Sequence, residues 1–420
     1  MFEQRYRQKL EADLASWQAA GVITPATGDA IRRGLGPPPK SVDLATAVAI
    51  VGGLLIAAAF LAFVAANWEQ IARPARFGIL LAGIAAAYAA GAWFDRAGRP
   101  FLGDLGASAG SIIFGAAIAL VGQMYHLGED FGGGMALWAL GALVAAALTN
   151  ARGALAVALV AGCIWSGMRM SEAPDAPHLP FIIIWLVAAG LAILWKGPVA
   201  RHLVSAAAIA WWVTTAFALM DLSIDRNPSF TVAAGAALMF GAGLALGTRP
   251  HDALRDFGLT LSTYAAFAFA IALAATIAEA PGSTAKLPTW TVACGAAGVL
   301  LALAAAALSR RSGPALGALA VLLGLVALAV YSRPDTISEP WASYALALAS
   351  MLALTVSGML DEVRPRMVAG WIGLGAAIAA ITWAVKGSLL ARALFLAVAG
   401  GLAIALASVL GRFARKEATP

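Results

Sequence analysis

Between Leu44 and Gly411 the chain passes through fourteen apolar stretches of roughly bilayer-crossing length, and nearly all of its charge sits in the short connectors between them. A helix needs about 20 predominantly apolar residues to cross the hydrocarbon core. In lipid every backbone N–H and C=O must be satisfied inside the protein, so spanning segments are helices or closed barrels. Continuous apolar runs of this length, without the two-residue alternation of barrel strands, predict an all-α, polytopic transmembrane helix bundle.

The expected spans are Leu44–Ala66, Phe77–Phe94, Leu105–Val121, Gly133–Thr149, Gly153–Met168, Leu179–Trp195, Leu203–Met220, Phe230–Gly247, Phe257–Ala278, Pro288–Ser309, Gly313–Tyr331, Trp341–Leu360, Met367–Val385 and Ser388–Gly411. The fifth is the shortest and follows a connector of only Asn150, Ala151 and Arg152, so a re-entrant or kinked piece is the alternative there. Composition agrees with a membrane protein: 12% of residues are charged, where a soluble chain carries about a quarter.

Charge orients the bundle. With fourteen spans and a cytoplasmic N-terminus, the cytoplasmic segments hold 20 of the 28 Lys and Arg residues, the outer connectors hold 7, and Arg392 lies inside the last span. This is the positive-inside distribution, and it places both termini in the cytoplasm only if the fifth segment crosses. The same singly spread arginines account for the net charge of +6 without a basic patch, so no nucleic-acid partner is expected. Cys163 and Cys294 lie in separate spans with no metal-ligand spacing around them, so neither a disulfide nor a zinc site is expected. The opening residues Met1 to Arg7 lack an apolar core and do not read as a removable signal peptide.

Ahead of the first span, residues 3–36 read as a helical hairpin. Tyr6, Leu10, Leu14 and Trp17 recur at helical spacing, Gly21 ends the first helix, and Thr24 with Pro25 opens a second that carries Ile31 and Leu35. Two short helices bury little, so this piece is expected to pack on inner connectors, on a second copy of the chain or on a protein partner, or to lie on the membrane surface. The expected organisation is a hairpin and Pro-rich linker over 1–40, membrane regions over 41–150 and 151–412, and a cytoplasmic tail over 413–420.

Three motifs stand out within this frame: Leu14-x-x-Trp17-x-x-x-Gly21-Val22-Ile23-Thr24, Asn67-Trp68-Glu69-Gln70-Ile71, and Gly122-Gln123-Met124-Tyr125-His126 followed by Asp130-Phe131 and Trp138. Together they resemble a bacterial family of predicted integral-membrane proteins, number 2157 among the domains of unknown function, over roughly residues 8–150. The resemblance implies a bacterial membrane protein, hence the inner (cytoplasmic) membrane, with an N-terminal cytoplasmic helical piece. It brings no activity with it.

Two of the motifs fall on the same, outer side of the expected topology. Asn67, Trp68, Glu69, Gln123, Tyr125, His126, Glu129 and Asp130 form the candidate binding set, suited to a cation, a polar head group or a small polar molecule. The plainer alternative is an interfacial aromatic belt with solvated loop acids, the acids paired with Arg73 and Arg76. The spacing fits no metal-ligand pattern, so neither a metal nor a cofactor is assigned. No catalytic residue is assigned either, because no nucleophile motif accompanies His126.

Inside the spans no Asp, Glu, Lys or His lies away from the ends, which speaks against a carboxylate relay of the kind found in proton-coupled transporters. Thr214, Thr215, Ser262, Thr263 and Thr355 supply either cation-coordinating or helix-packing hydroxyls, and Trp211-Trp212 either lines a cavity or fills the core. The partners expected are the bilayer and a lipid or small-molecule ligand. Transport or handling of that ligand is the first expectation, and a membrane sensor or scaffold acting through the hairpin is the alternative.

Overall fold

The computed structural model describes residues 2–34, 71–125, 130–172, 177–220, 228–278, 289–331 and 341–384, with positions 48, 51, 52, 55, 59 and 62. Those six positions of the first expected span are all helical, and the last expected span lies outside the described residues. The described residues form helices and no strand. In chain order the helices are α1 (Phe2–Ala19), α2 (Pro25–Gly34), α3 (Arg73–Arg96), α4 (Pro100–Tyr125), α5 (Phe131–Thr149), α6 (Arg152–Glu172) and α7 (Pro180–Trp195). They continue with α8 (Pro198–Met220), α9 (Pro228–Gly247), α10 (Asp252–Ala278), α11 (Thr289–Ser309), α12 (Ser312–Tyr331), α13 (Trp341–Leu360) and α14 (Arg364–Ala384). The chain divides into two compact units, residues 1–66 and 67–420.

In the first unit, α1 and α2 make the expected hairpin. Gly21 adopts a left-handed φ of 71°, which ends α1 as glycine does at helix C-termini. The Thr24 hydroxyl accepts the Thr27 N–H at 3.2 Å and caps α2. Leu14 is fully buried, while Trp17 and Ile31 remain well exposed. Arg32 ties the helices together by donating to Glu11 at 3.0 Å. Leu35 and the side chain of Tyr6 lie outside the described residues.

Among the described residues of the second unit, eleven helices, α3–α6 and α8–α14, are long and apolar enough to cross a membrane. The shorter apolar helix is α7, with 16 residues. The fifth expected span, doubtful from its connector, is instead a full helix of 21 residues, Arg152–Glu172. The reversal into it is short because Asn150 sits in the left-handed region at φ 53°, where Asn is one of the few tolerant residues. Lys196, Arg310 and Glu362 take the same conformation after α7, α11 and α13. Each turns a helix back on its successor within two or three residues, all at one end of the bundle.

Helices α9, α10, α14, α13, α12 and α11 each pack on the next, and α11 returns to α9 to close a ring. Its interior holds Phe240, Phe269, Tyr331, Tyr344 and Met351. Lipid tails are as apolar as leucine, so membrane helices associate through close packing and small residues. Here a Cβ on Gly243 would lie 2.7 Å from the Gly258 carbonyl oxygen, and one on Gly298 would lie 2.4 Å from the Ala237 backbone. Large apolar side chains face outward accordingly, with Leu194 73% and Ile183 68% exposed. In the other half α3 packs on α4, α5 on α6, and α8 links α6 and α7 to the ring.

The indoles of Trp211 and Trp212 are core elements. Trp211 stacks on Phe181 at 5.2 Å and donates Nε1–H to the Ser166 hydroxyl at 2.8 Å. Trp212 donates to the Thr231 carbonyl at 2.7 Å and lies over Gly235, where a Cβ would come within 1.9 Å of its ring. The hydroxyls of Thr214, Ser262, Thr263 and Thr355 donate to carbonyls three or four residues back on their own helices. Those bonds satisfy these four without a cation, whereas the buried Thr215 hydroxyl has no hydrogen-bond partner among the described residues.

Candidate functional site

Of the eight residues in the outer set, Gln123, Tyr125 and Asp130 are described; Asn67, Trp68, Glu69, His126 and Glu129 lie outside the described residues. Gln123 and Tyr125 end α4 with exposed side chains. Asp130 begins α5, and its Oδ1 accepts the Gly133 N–H at 2.8 Å, which is an N-cap. Both of its carboxylate oxygens also accept Nη2–H of Arg169, at 2.8 and 2.9 Å. Arg169 turns its other arm to Glu172 at 2.7 Å. The cap from Gly133, and then the guanidinium, hold the Asp130 carboxyl below the usual carboxylate range.

The partner of Asp130 is therefore Arg169, at the end of α6, rather than Arg73 or Arg76. Arg76 donates Nε–H to the Ile71 carbonyl at 2.6 Å. Sequence order could not reveal Arg169, which is 39 residues from Asp130; its only signal was a charge just after the fifth expected span. Beside this clamp His178 meets Trp165 edge-on at 4.5 Å. Burial, and then the Arg169 charge, push the His178 imidazole below its ordinary value. This end of the bundle thus presents an Asp130–Arg169–Glu172 clamp with an exposed amide and phenol on the adjoining helix end.

The opposite end carries two cavities that the sequence did not suggest, because their arginines read as orientation signal. One, of about 360 Å³, lies where α7, α8 and α10 meet. Its walls balance Lys196 and Arg201 against Asp252 and Asp256, with Arg201 bonded to Asp256 at 2.7 Å. The other, of about 350 Å³, opens among the connectors α9–α10, α11–α12 and α13–α14 and is lined by Arg249, Arg255, Arg311 and Arg366 with the single carboxylate of Asp361. Arg366 is 1% exposed and donates to Asp361 at 2.5 Å. It also reaches the Ser357 hydroxyl at 3.3 Å and lies over the Phe240 ring at 5.6 Å. Among the described residues no group of three His, Cys, Asp or Glu side chains could hold a metal ion.

A membrane-length helical bundle with its polar groups at both ends fits what comparison with known proteins finds. Residues 15–155 match the DUF2157 family, described as a predicted membrane protein. The DUF2157 match runs from α1 into the first turn of α6 and includes all eight residues of the outer set, whereas both cavities at the other end lie beyond it. No curated protein and no solved structure matches the chain.

Proposed function

We propose that this is a multi-pass protein of the bacterial inner membrane that transports or handles a lipid or small polar solute through an outward-facing polar vestibule. The vestibule is formed by Asn67, Trp68, Glu69, Gln123, Tyr125, His126, Glu129 and Asp130. The observation that carries this reading is the Asp130–Arg169–Glu172 clamp. It fixes the start of α5 against the end of α6, and so anchors one side of the connector that bears His126 and Glu129. A cytoplasmic cavity end is supported by charge: among the described residues of this unit, eleven Lys and Arg lie at the cavity end and three at the clamp end, the sense of the positive-inside rule.

Because Asp130 is a structural cap, the test leaves it in place. Native mass spectrometry compares wild type with the Gln123→Ala/His126→Ala/Glu129→Ala protein after gentle solubilisation. A lipid or small molecule carried by wild type and lost from the folded variant is the expected result; identical spectra would refute the vestibule. A second reading, a membrane sensor or scaffold working through the hairpin, draws support from the exposed Trp17, Val22 and Ile31 on that unit. Deleting residues 1–36 distinguishes the two, since handling of the ligand survives the deletion and partner-dependent output does not.

A further inference from the structure

We propose that the arginine-lined cavity at the end of the six-helix ring binds a phosphate group, either on an anionic lipid of the adjoining leaflet or as free phosphate. This goes beyond the outer vestibule and does not depend on it, because the cavity lies at the opposite end of the bundle. Four guanidinium groups from Arg249, Arg255, Arg311 and Arg366 border one space of about 350 Å³ against the single carboxylate of Asp361. That volume falls within the range of small-ligand pockets, roughly 300–1,000 Å³.

Orientation signal alone does not account for this arrangement. It is satisfied by arginines anywhere in the inner connectors, as Arg310 and Arg364 satisfy it without bordering the cavity. The cavity arginines differ in two respects. Arg366 is buried to 1% exposure, and its enclosed Nε–H has no partner among the described residues, an unmet donor on a side chain that lines the cavity. Arg249 and Arg311 are exposed and, among the described residues, join no salt bridge.

Helix geometry adds to the charge. The N-termini of α10, α12 and α14 all come to this end, and each contributes to the cavity lining, through Arg255, Pro314 and Arg366 respectively. Helix N-termini carry unsatisfied N–H groups and partial positive charge, which favour anions. Guanidinium forks match phosphate oxygens in pairs, and basic pockets between spanning helices on the cytoplasmic side suit lipid phosphates. Asp361 is occupied with Arg366, and Arg255 is loosely paired to the exposed Asp252 at 3.1 Å, so the cavity keeps a surplus of positive charge.

The test uses the full chain in nanodiscs of phosphatidylcholine with a fraction of phosphatidylglycerol. It compares wild type with Arg249→Gln/Arg311→Gln and with Arg310→Gln/Arg364→Gln, which loses the same charge at the same end away from the cavity. Both cavity arginines changed are exposed, so the variant should fold; an unchanged unfolding temperature in pure phosphatidylcholine checks this, and Arg311→Gln alone serves if the pair does not fold. Native mass spectrometry reads retained phosphatidylglycerol, and a titration with inorganic phosphate reads displacement.

The expected result is retention by wild type and by the control pair, and a loss of roughly tenfold or more in the cavity pair, the scale of losing charge-assisted hydrogen bonds. Displacement of the lipid by millimolar phosphate would identify the free anion as a sufficient ligand. Retention against phosphate would identify the lipid headgroup. Equal losses in both variants, or no specific retention of lipid and no binding of phosphate by wild type, would overturn the proposal.

Discussion

Breaking the buried pair Asp361–Arg366 should expose an asymmetry set by burial. Arg366 Nη1 lies 2.5 Å from Asp361 Oδ2, yet the arginine side chain is 1% exposed and the aspartate 11%. In Asp361→Asn the guanidinium keeps the Ser357 hydroxyl at 3.3 Å, the Phe240 ring and a neutral amide oxygen in place of the carboxylate, so a charge stays enclosed without a counter-charge. Removing one partner of a buried pair costs about 3–5 kcal/mol, and water entering the adjoining cavity sets the expectation at the lower part of that range. In Arg366→Met the enclosed charge is gone, while the Asp361 carboxylate, on a connector, can turn to water, for about 1–3 kcal/mol. The double variant removes both charges and should cost less than the two single changes added together, with a coupling of about 2 kcal/mol. Equilibrium unfolding in mixed detergent, followed by tryptophan fluorescence, measures all four proteins. An Arg366→Met protein as unstable as Asp361→Asn, or single effects that simply add, would refute this account of the pair.

Two further outcomes follow from geometry at other sites. A Cβ at Gly298 would lie 2.4 Å from the backbone of Ala237 on α9, whereas one at Gly190 meets nothing within 4 Å. Gly298→Ala should therefore cost about 1–2 kcal/mol, since overpacking of about 1–3 kcal/mol outweighs a helix-propensity gain of up to about 1 kcal/mol; Gly190→Ala keeps only the gain, and unfolding midpoints moving in the same direction would contradict this. Asp130 has its carboxyl held below the usual range by the Gly133 N–H and Arg169, so its stabilising effect is fully present above the unfolded carboxylate value of about 3.9 and is lost as pH falls through the depressed folded value. Wild type and Asp130→Asn should then differ in thermal stability by a constant amount from pH 7 to about 5 and converge below about 4; a gap that closes near neutrality would point to another group, such as His178.

Hydropathy made the spanning helices legible because a bilayer imposes length and apolarity on every crossing segment. Connector length was a poorer guide. Three residues before the fifth span left a re-entrant or kinked piece as the alternative to the expected crossing, but a left-handed Asn150 reverses the chain in that distance, and the short helix is α7 instead. Thr24 and Gly21 gave the hairpin boundaries correctly, since caps act locally. The apolar face of α1 was legible as spacing, but not the exposure of Trp17, which depends on what lies across from it.

Sequence by itself determined what each segment must be: helical, apolar, of membrane length, with basic connectors on one side. It did so because lipid solvation and backbone hydrogen bonding act on each segment separately. Only the tertiary structure decided which residues meet. Arg169 clamps Asp130 from a different helix, Trp211 stacks on Phe181 while Trp212 fills core space over Gly235, and arginines from two connectors and the starts of α10 and α14 border one cavity. Such meetings depend on crossing angles and helix neighbours, which in an Ala- and Gly-rich bundle are set by many small packing contacts between helices rather than by any local signal.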